Sequence, residues 1–314
     1  MKKNQRYSSL ILGAVSLGII LSAGTTARAA DRYQYRTMNV GFNWNSTNVF
    51  GVFGTPGTLS LATAGNTYFA GGAGTNFNCR THDASTNNPS FSVFAGDKLI
   101  LTNNGIGSLV LKNGGGLANV NSATIELAGG TISQNTPNQL AGTDGRSALG
   151  GTILVSQNSL INLIGGATAN RDTLLVANIS GSANLTVAHG AAGTPQTNAL
   201  VLLGTNTAFS GNWTNTLGRI ELGNNALNPL GSGKVMLMTT SNALNLNATN
   251  DFSLANVIEG VGIVIKANSN SVTLNGANTF IGSTVVSNGV LKLGNASAVS
   301  TSTNISLQIG RAHV

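Results

Sequence analysis

Beyond about residue 90, the apolar positions of this chain come in short triplets whose first and third residues are apolar. Examples are Leu99-Ile100-Leu101, Leu109-Val110-Leu111, Ile125-Glu126-Leu127, Leu185-Thr186-Val187, Ile220-Glu221-Leu222, Leu244-Asn245-Leu246, Val272-Thr273-Leu274 and Leu291-Lys292-Leu293. Each is a period-2 strand that turns two side chains inward and one outward. Stretches rich in Gly, Asn, Ser and Thr separate them. No window sustains a helical period. Strands this short are unstable as isolated hairpins, so they need stacking neighbours.

An internal repeat says how they stack. Leu202, Gly204, Asn206 and Thr207 match Leu274, Gly276, Asn278 and Thr279. After a one-residue slip at Ala208, Phe209, Gly211, Gly218, Leu222, Gly223 and Asn224 match Phe280, Gly282, Gly289, Leu293, Gly294 and Asn295, with Ile220 opposite Leu291. Self-similarity at a fixed period is the mark of a solenoid or array. A unit of about 71 residues is too long for one coil, and three coils is the expected reading.

The fold class expected is therefore all-β, a parallel β-helix. Each coil hydrogen-bonds to the next at about 4.8 Å, and coils of about 22 residues would build a rod roughly 60 Å long. Inward Val, Ile and Leu form a continuous core. Glycine turns corners at positive φ, and stacked Asn side chains bond from coil to coil. On this reading equivalent residues of the two copies, such as Phe209 and Phe280, lie on the same face. Antiparallel sandwiches would instead need strands of about 5–6 residues joined by hairpins.

The segment from Leu274 to Asn295, with Phe280, Gly282, Thr284, Gly289 and Leu291-Lys-Leu293-Gly294, resembles the autotransporter-associated β-strand repeat. The copy from Leu202 to Asn224 is weaker, because Asn212-Trp213 follows Gly211. Ile179-Ser-Gly181 and Ile258-Glu-Gly260 resemble the segment that often precedes the unit. Leu127-Ala-Gly-Gly130-Thr-Ile132 resembles glycine-threonine strands upstream in such proteins. The resemblance implies a right-handed β-helical passenger or surface scaffold and brings no catalytic residues with it.

Composition agrees with a stacked core. Charged residues are 8% of the chain, against about 25% in ordinary soluble proteins. Hydrophobic residues are 41%, and Gly contributes 41 of 314 residues. Disorder needs low hydrophobicity and high net charge, which this chain lacks. With one cysteine, Cys79, no intramolecular disulfide can form.

The segment from Met1 to Ala29 reads as an export leader, cut before Ala30 or Asp31. Lys2, Lys3 and Arg6 precede an apolar run from Leu10 to Leu21, and Ala27-Arg28-Ala29 supplies small residues two apart. The run is shorter than the roughly 20 residues a membrane helix needs, and no later segment reaches that length. Without the leader, the +7 charge of 16 basic against 9 acidic residues falls to 12 against 9. Basic residues are scattered, so nucleic acid is not an expected partner. Residues 30–90 read as an N-terminal β-rich region and possible start of the solenoid. Residues 91–308 read as the β-helix, with its repeat at 202–224 and 274–295.

Ile309-Gly310-Arg311-Ala312-His313-Val314 is what ATC GGA AGA GCA CAC GTC encodes, a string resembling a common sequencing adapter. Residues 309–314 are therefore expected to be an artefact, with the natural reading frame, and an anchoring region, running on.

Candidate chemistry is sparse. Glu126 and Asp144, with Arg146 close by, have a spacing that would stack carboxylates on one face, as polysaccharide-cleaving β-helices require. Cys79, His82 and Asp83 sit together, and thiolate with imidazole can bind zinc or form a nucleophile–base pair; His189 is the one further imidazole outside the tail. Gly71-Gly-Ala-Gly-Thr-Asn76 has Asn where a calcium repeat has Asp. Gly231-Ser-Gly233-Lys234 lacks the upstream glycine and following Ser or Thr of a phosphate loop. In each case the simpler reading is an ordinary surface or loop segment. No catalytic, cofactor or metal residues are expected, and no cofactor. The expected role is a secreted or surface-displayed scaffold for adhesion, with glycans or cell-surface components as partners. The alternatives are a β-helical lyase or hydrolase, or a glycan-binding module using exposed aromatics such as Trp44 and Trp213.

Overall fold

The computed structural model describes residues 31–35, 38, 44, 46–52, 55–70, 78–81, 93–103, 107–111, 124–134, 147–163, 172–189, 198–223 and 228–308. Among the described residues there is no helix, and the strands form three eight-stranded sheets and one three-stranded sheet. The proposed leader, Asp144, Arg146, His82, Asp83, Gly71–Asn76 and Ile309–Val314 lie outside them.

Pairing is parallel almost throughout. In the first sheet Arg32–Gln34, Thr67–Ala70, Lys98–Thr102, Thr124–Ala128, Thr152–Gln157 and Asn178–Gly181 run side by side. The second holds Asn78–Arg80, Ser108–Leu111, Thr131–Gln134, Ser159–Leu163, Leu185–His189, Trp213–Asn215, Val235–Leu237 and Ile258–Gly260. The third holds Ser147–Leu149, Thr173–Leu175, Ala199–Leu202, Arg219–Leu222, Ala243–Leu246, Ile263–Lys266, Thr284–Val286 and Ile305–Leu307. The fourth holds Phe252–Leu254, Ser271–Leu274 and Val290–Leu293. The chain visits the sheets in rotation, and each strand pairs with the one a circuit later. Long parallel sheets visited in this order are consistent with a β-solenoid.

The circuits are not uniform. In the first half Thr124 pairs with Thr152, and Thr152 with Asn178. Further along, Ala243 pairs with Ile263, and Val264 with Thr284, so the circuit has become shorter. The circuit length expected from the sequence suits the later circuits, where Trp213 pairs with Val235 and Val235 with Ile258, but not the longer ones of the first half.

The triplets build the core as their alternation demands. Leu99, Ile125, Ile153 and Ile179 form one register row, and all are buried. Leu200, Ile220, Leu244 and Val264 form another. Both belong to one contiguous apolar cluster that runs from Met38 to Val299. The middle residues, such as Glu126, Thr186 and Thr273, are only part-buried.

The repeat is placed differently from expectation. Along the third sheet, Leu222 pairs with Leu246, Leu246 with Lys266 and Lys266 with Val286, so three circuits from Leu222 end at Val286. Leu293, the repeat partner of Leu222, has gone one strand further and lies in the fourth sheet, opposite Leu274. Phe209 bridges to Gly181 at the edge of the first sheet, whereas the Phe280 N–H donates to Ile258 O of the second. Phe209 and Phe280 are therefore on different faces. The repeated unit is one circuit long and recurs after three circuits and one face. It fits either face because each corner poses the same problem: the chain must turn between strands while packed on the circuit before.

The two ends of the stack differ. At the start, the first sheet closes with Phe50–Val52 and Thr55–Ser60 in antiparallel pairing. Phe50, Tyr68 and Phe94 meet edge to face there, with centroids 4.7, 5.4 and 6.3 Å apart. At the other end Leu293, Ile305 and Leu307 are 57%, 52% and 65% exposed. They occupy inward register positions opposite Leu274, Thr284 and Val286. No described strand stacks on their far side.

Candidate functional site

Each sequence-level candidate now has a place. Glu126 projects from the outer side of Thr124–Ala128, and its carboxylate accepts from Lys98 Nζ at 3.0 Å. The opposite charge is already supplied from one circuit earlier. Cys79 is fully buried in Asn78–Arg80, and burial pushes its thiol pKa up to about 12 despite a hydrogen bond from the Arg80 backbone. A thiol so held is protonated at neutral pH and has no nucleophilic character. His189 is buried at the end of Leu185–His189, where its Nε2 lies 3.4 Å from Asn198 Nδ2. Cys79 and His189 stand on different circuits, and among the described residues no three His, Cys, Asp or Glu side chains gather as a metal cluster.

The segment Gly231–Lys234 cannot cradle a phosphate. The Gly231 N–H donates to Asn228 O, the Ser232 N–H to Phe209 O, and the Lys234 N–H to Asn212 Oδ1. Lys234 Nζ pairs with Glu259 at 2.8 Å. A Cβ on Gly233 would meet Gly211 O at 1.9 Å, so this glycine serves close backbone packing.

Both tryptophans are core residues. Trp44 and Trp213 are fully buried. The Trp213 indole N–H donates to Leu230 O at 2.9 Å, and its ring meets Phe209 with centroids 5.4 Å apart. Neither can stack on a sugar from solvent. Aromatic rings bury about 150–250 Å² each, and in a chain with so few of them the corners and end of the core claim the largest.

What the outer surface does present is polar and periodic. The Asn184 N–H donates to Asn158 Oδ1, the Asn212 N–H to Asn184 Oδ1, and the Lys234 N–H to Asn212 Oδ1, each at 2.9 Å. This corner ladder joins side-chain carbonyls to backbone, not amide to amide. A groove of ≈ 410 Å³ runs across several circuits and is lined by Thr240, Val261, Ile263, Ile281, Ser283 and Thr303. It offers hydroxyls and aliphatic surface and no titratable group.

Sequence reasoning passes over Lys266. It is buried at an inward position between Leu246 and Val286, where a leucine would serve. Its Nζ donates to Asn268 O and, at 3.3 Å, to Asn288 O. Burial lowers its pKa, and Asp251 partly offsets the shift. A period-2 reading of Ile263-Val-Ile-Lys266 would have found it, since Val264 and Lys266 share a face.

No known protein family, curated protein or solved structure matches this chain.

Proposed function

We propose that this chain is a right-handed parallel β-helical scaffold, exported and displayed at a bacterial cell surface as a passenger or stalk for adhesion. One observation carries the reading: parallel ladders follow one another through eight-stranded sheets around one core, with outward Asn, Thr, Ser and a few paired charges. Such a body is long for its mass and spreads weak hydrogen-bonding contacts over its length. The repeat from Leu274 to Asn295 supports the same reading through its resemblance to autotransporter-associated β-strand repeats. The leader-like segment from Met1 to Ala29 supports export.

The scaffold has no catalytic role in this proposal, and its partners are glycans or other surface components met through shallow polar faces. The test has two arms. N-terminal sequencing of exported protein should begin at Ala30 or Asp31; an intact Met1 refutes export. A screen of the folded chain against neutral and acidic polysaccharides should give weak binding without turnover. Turnover lost in Glu126→Ala would replace the scaffold with an enzyme.

A further inference from the structure

We propose that Asn288 is a site of spontaneous modification, in which the turn Ser287-Asn288-Gly289 converts its asparagine to aspartate and isoaspartate through a succinimide. The reaction needs the amide nitrogen of the next residue to reach the side-chain Cγ. In this turn the Gly289 N–H donates to Asn288 Oδ1 at 2.8 Å, which brings that nitrogen onto the side-chain amide. Gly289 has φ +72° and no Cβ to obstruct the approach. Asn288 and Gly289 are both exposed, so water and base reach them.

The chemistry balances without any co-reactant but water. The Gly289 nitrogen gives its proton to solvent base and bonds to Asn288 Cγ. The Cγ–Nδ2 bond breaks, and ammonia leaves with a proton from solvent. Water then adds across one of the two imide C–N bonds. Opening on one side yields aspartate, and on the other isoaspartate, whose main chain is longer by one carbon. Nothing is oxidised or reduced.

Two other asparagines in the same part of the fold serve as internal references. Asn275-Gly276 has the same dipeptide, and both glycines press on the backbone of the circuit before, but Gly276 is buried whereas Gly289 is exposed. Asn275 Oδ1 is directed at Gly294, where a Cβ would meet it at 1.9 Å. Asn268-Ser269 has the same hook, with the Ser269 N–H on Asn268 Oδ1 at 2.9 Å, but a side chain stands on the attacking residue. Its amide also donates to Asn247 O at 3.5 Å.

The position gives the change a structural consequence. The main-chain carbonyl of Asn288 is one of the two that hold the buried Lys266 ammonium. In isoaspartate the main chain passes through Cγ and that former carbonyl becomes the free carboxylate, whereas in aspartate the carbonyl stays and a side-chain carboxylate appears on the corner above the cation. The modification would thus mark age at the exposed end of the stack, next to its one buried lysine among the described residues.

The test is peptide mapping of the intact purified chain after incubation in mildly alkaline buffer, with isoaspartate read by enzymatic methyl transfer. In the native protein the peptide carrying Asn288 should convert several-fold faster than those carrying Asn275 or Asn268. In urea the Asn288 and Asn275 rates should converge, because only the fold separates two Asn-Gly pairs. Native conversion of Asn288 no faster than that of Asn275, or a gap that persists in urea, overturns the proposal.

Discussion

Asn206 and Asn278, equivalent positions in the two copies of the repeat, make the same two bonds on different faces of the stack. Asn206 Oδ1 accepts from the Ile179 N–H at 2.7 Å, and its Nδ2 donates to Pro229 O at 2.6 Å. Asn278 Oδ1 accepts from the Ile258 N–H at 2.8 Å, and its Nδ2 donates to Ala298 O at 2.8 Å. Each therefore ties the circuit before it to the circuit after it. Both are buried, and each pairs with an isoleucine that begins an Ile-x-Gly segment. In those segments Gly181 and Gly260 take φ +107° and +101°, and a Cβ would meet Val155 O or Leu237 O at 2.2 or 2.1 Å. The repeated motif is thus a corner device: glycine lets the chain turn hard against its neighbour, and asparagine stitches three circuits.

Replacing Asn206 or Asn278 by Ala should destabilise the chain by about 1–3 kcal/mol each, because a buried backbone N–H loses its acceptor. The two share no partner, so the double variant should be additive to within about 0.5 kcal/mol. Urea denaturation of the single and double variants measures both. A change below a few tenths would mean that water replaces the amide.

The alternation of the triplets is legible in the sequence because inward and outward positions need no knowledge of the circuit. The rotation of the repeat is not. It depends on circuits that shorten along the chain, from the Thr124–Thr152 pairing to the Val264–Thr284 pairing, and their lengths are set in loops whose sequences show no period. Trp44 and Trp213 mislead for a related reason: an indole can serve a sugar site or a core, and only packing decides. Lys266 escapes notice since a lone lysine on an outer face is the usual case. The candidate site is legible mainly as an inventory, and much of that inventory, His82 and Asp144 included, lies outside the described residues.

Cys79 should be silent in the native protein. With its thiol pKa pushed up to about 12 and its side chain buried, alkylation at mildly alkaline pH should await opening of the stack. Iodoacetamide labelling followed by mass spectrometry should show little product until denaturant is added. Labelling at the rate of a free thiol would mean that the first circuits open readily.

Lys266 should give the chain a pH dependence of definite sign. Its pKa is lowered in the folded state from an ordinary 10.5, so in the window between the two values the unfolded chain binds more protons. Stability should rise with pH across that window. Below it both states are charged and the burial cost is present in full. Lys266→Met should remove the slope and be neutral or stabilising, as apolar replacements of buried charges often are. Urea midpoints of both proteins from neutral pH to about pH 10 decide it. A wild-type midpoint that falls relative to Lys266→Met would contradict the assigned cause.

Leu274 and Leu293 face each other in register, yet they should respond very differently to mutation. Leu274 is completely buried between Leu254 and Leu293. Truncation to Ala removes its transfer energy and leaves a cavity, costing about 2–5 kcal/mol. Leu293 has the same inward direction and the same place in the repeat as Leu222, but it is 57% exposed because no described strand lies beyond Val290–Leu293. Its truncation should cost under about 1 kcal/mol. Aspartate separates the two further, since at Leu274 it buries an unpaired charge, whereas at Leu293 the carboxylate stays in water. Limited proteolysis should show Leu274→Asp cleaved deep into the stack and Leu293→Asp cleaved only near its end. Equal protection of the two variants would mean that something covers Leu293 in solution, and a matching rise in apparent mass would identify the cover as another molecule.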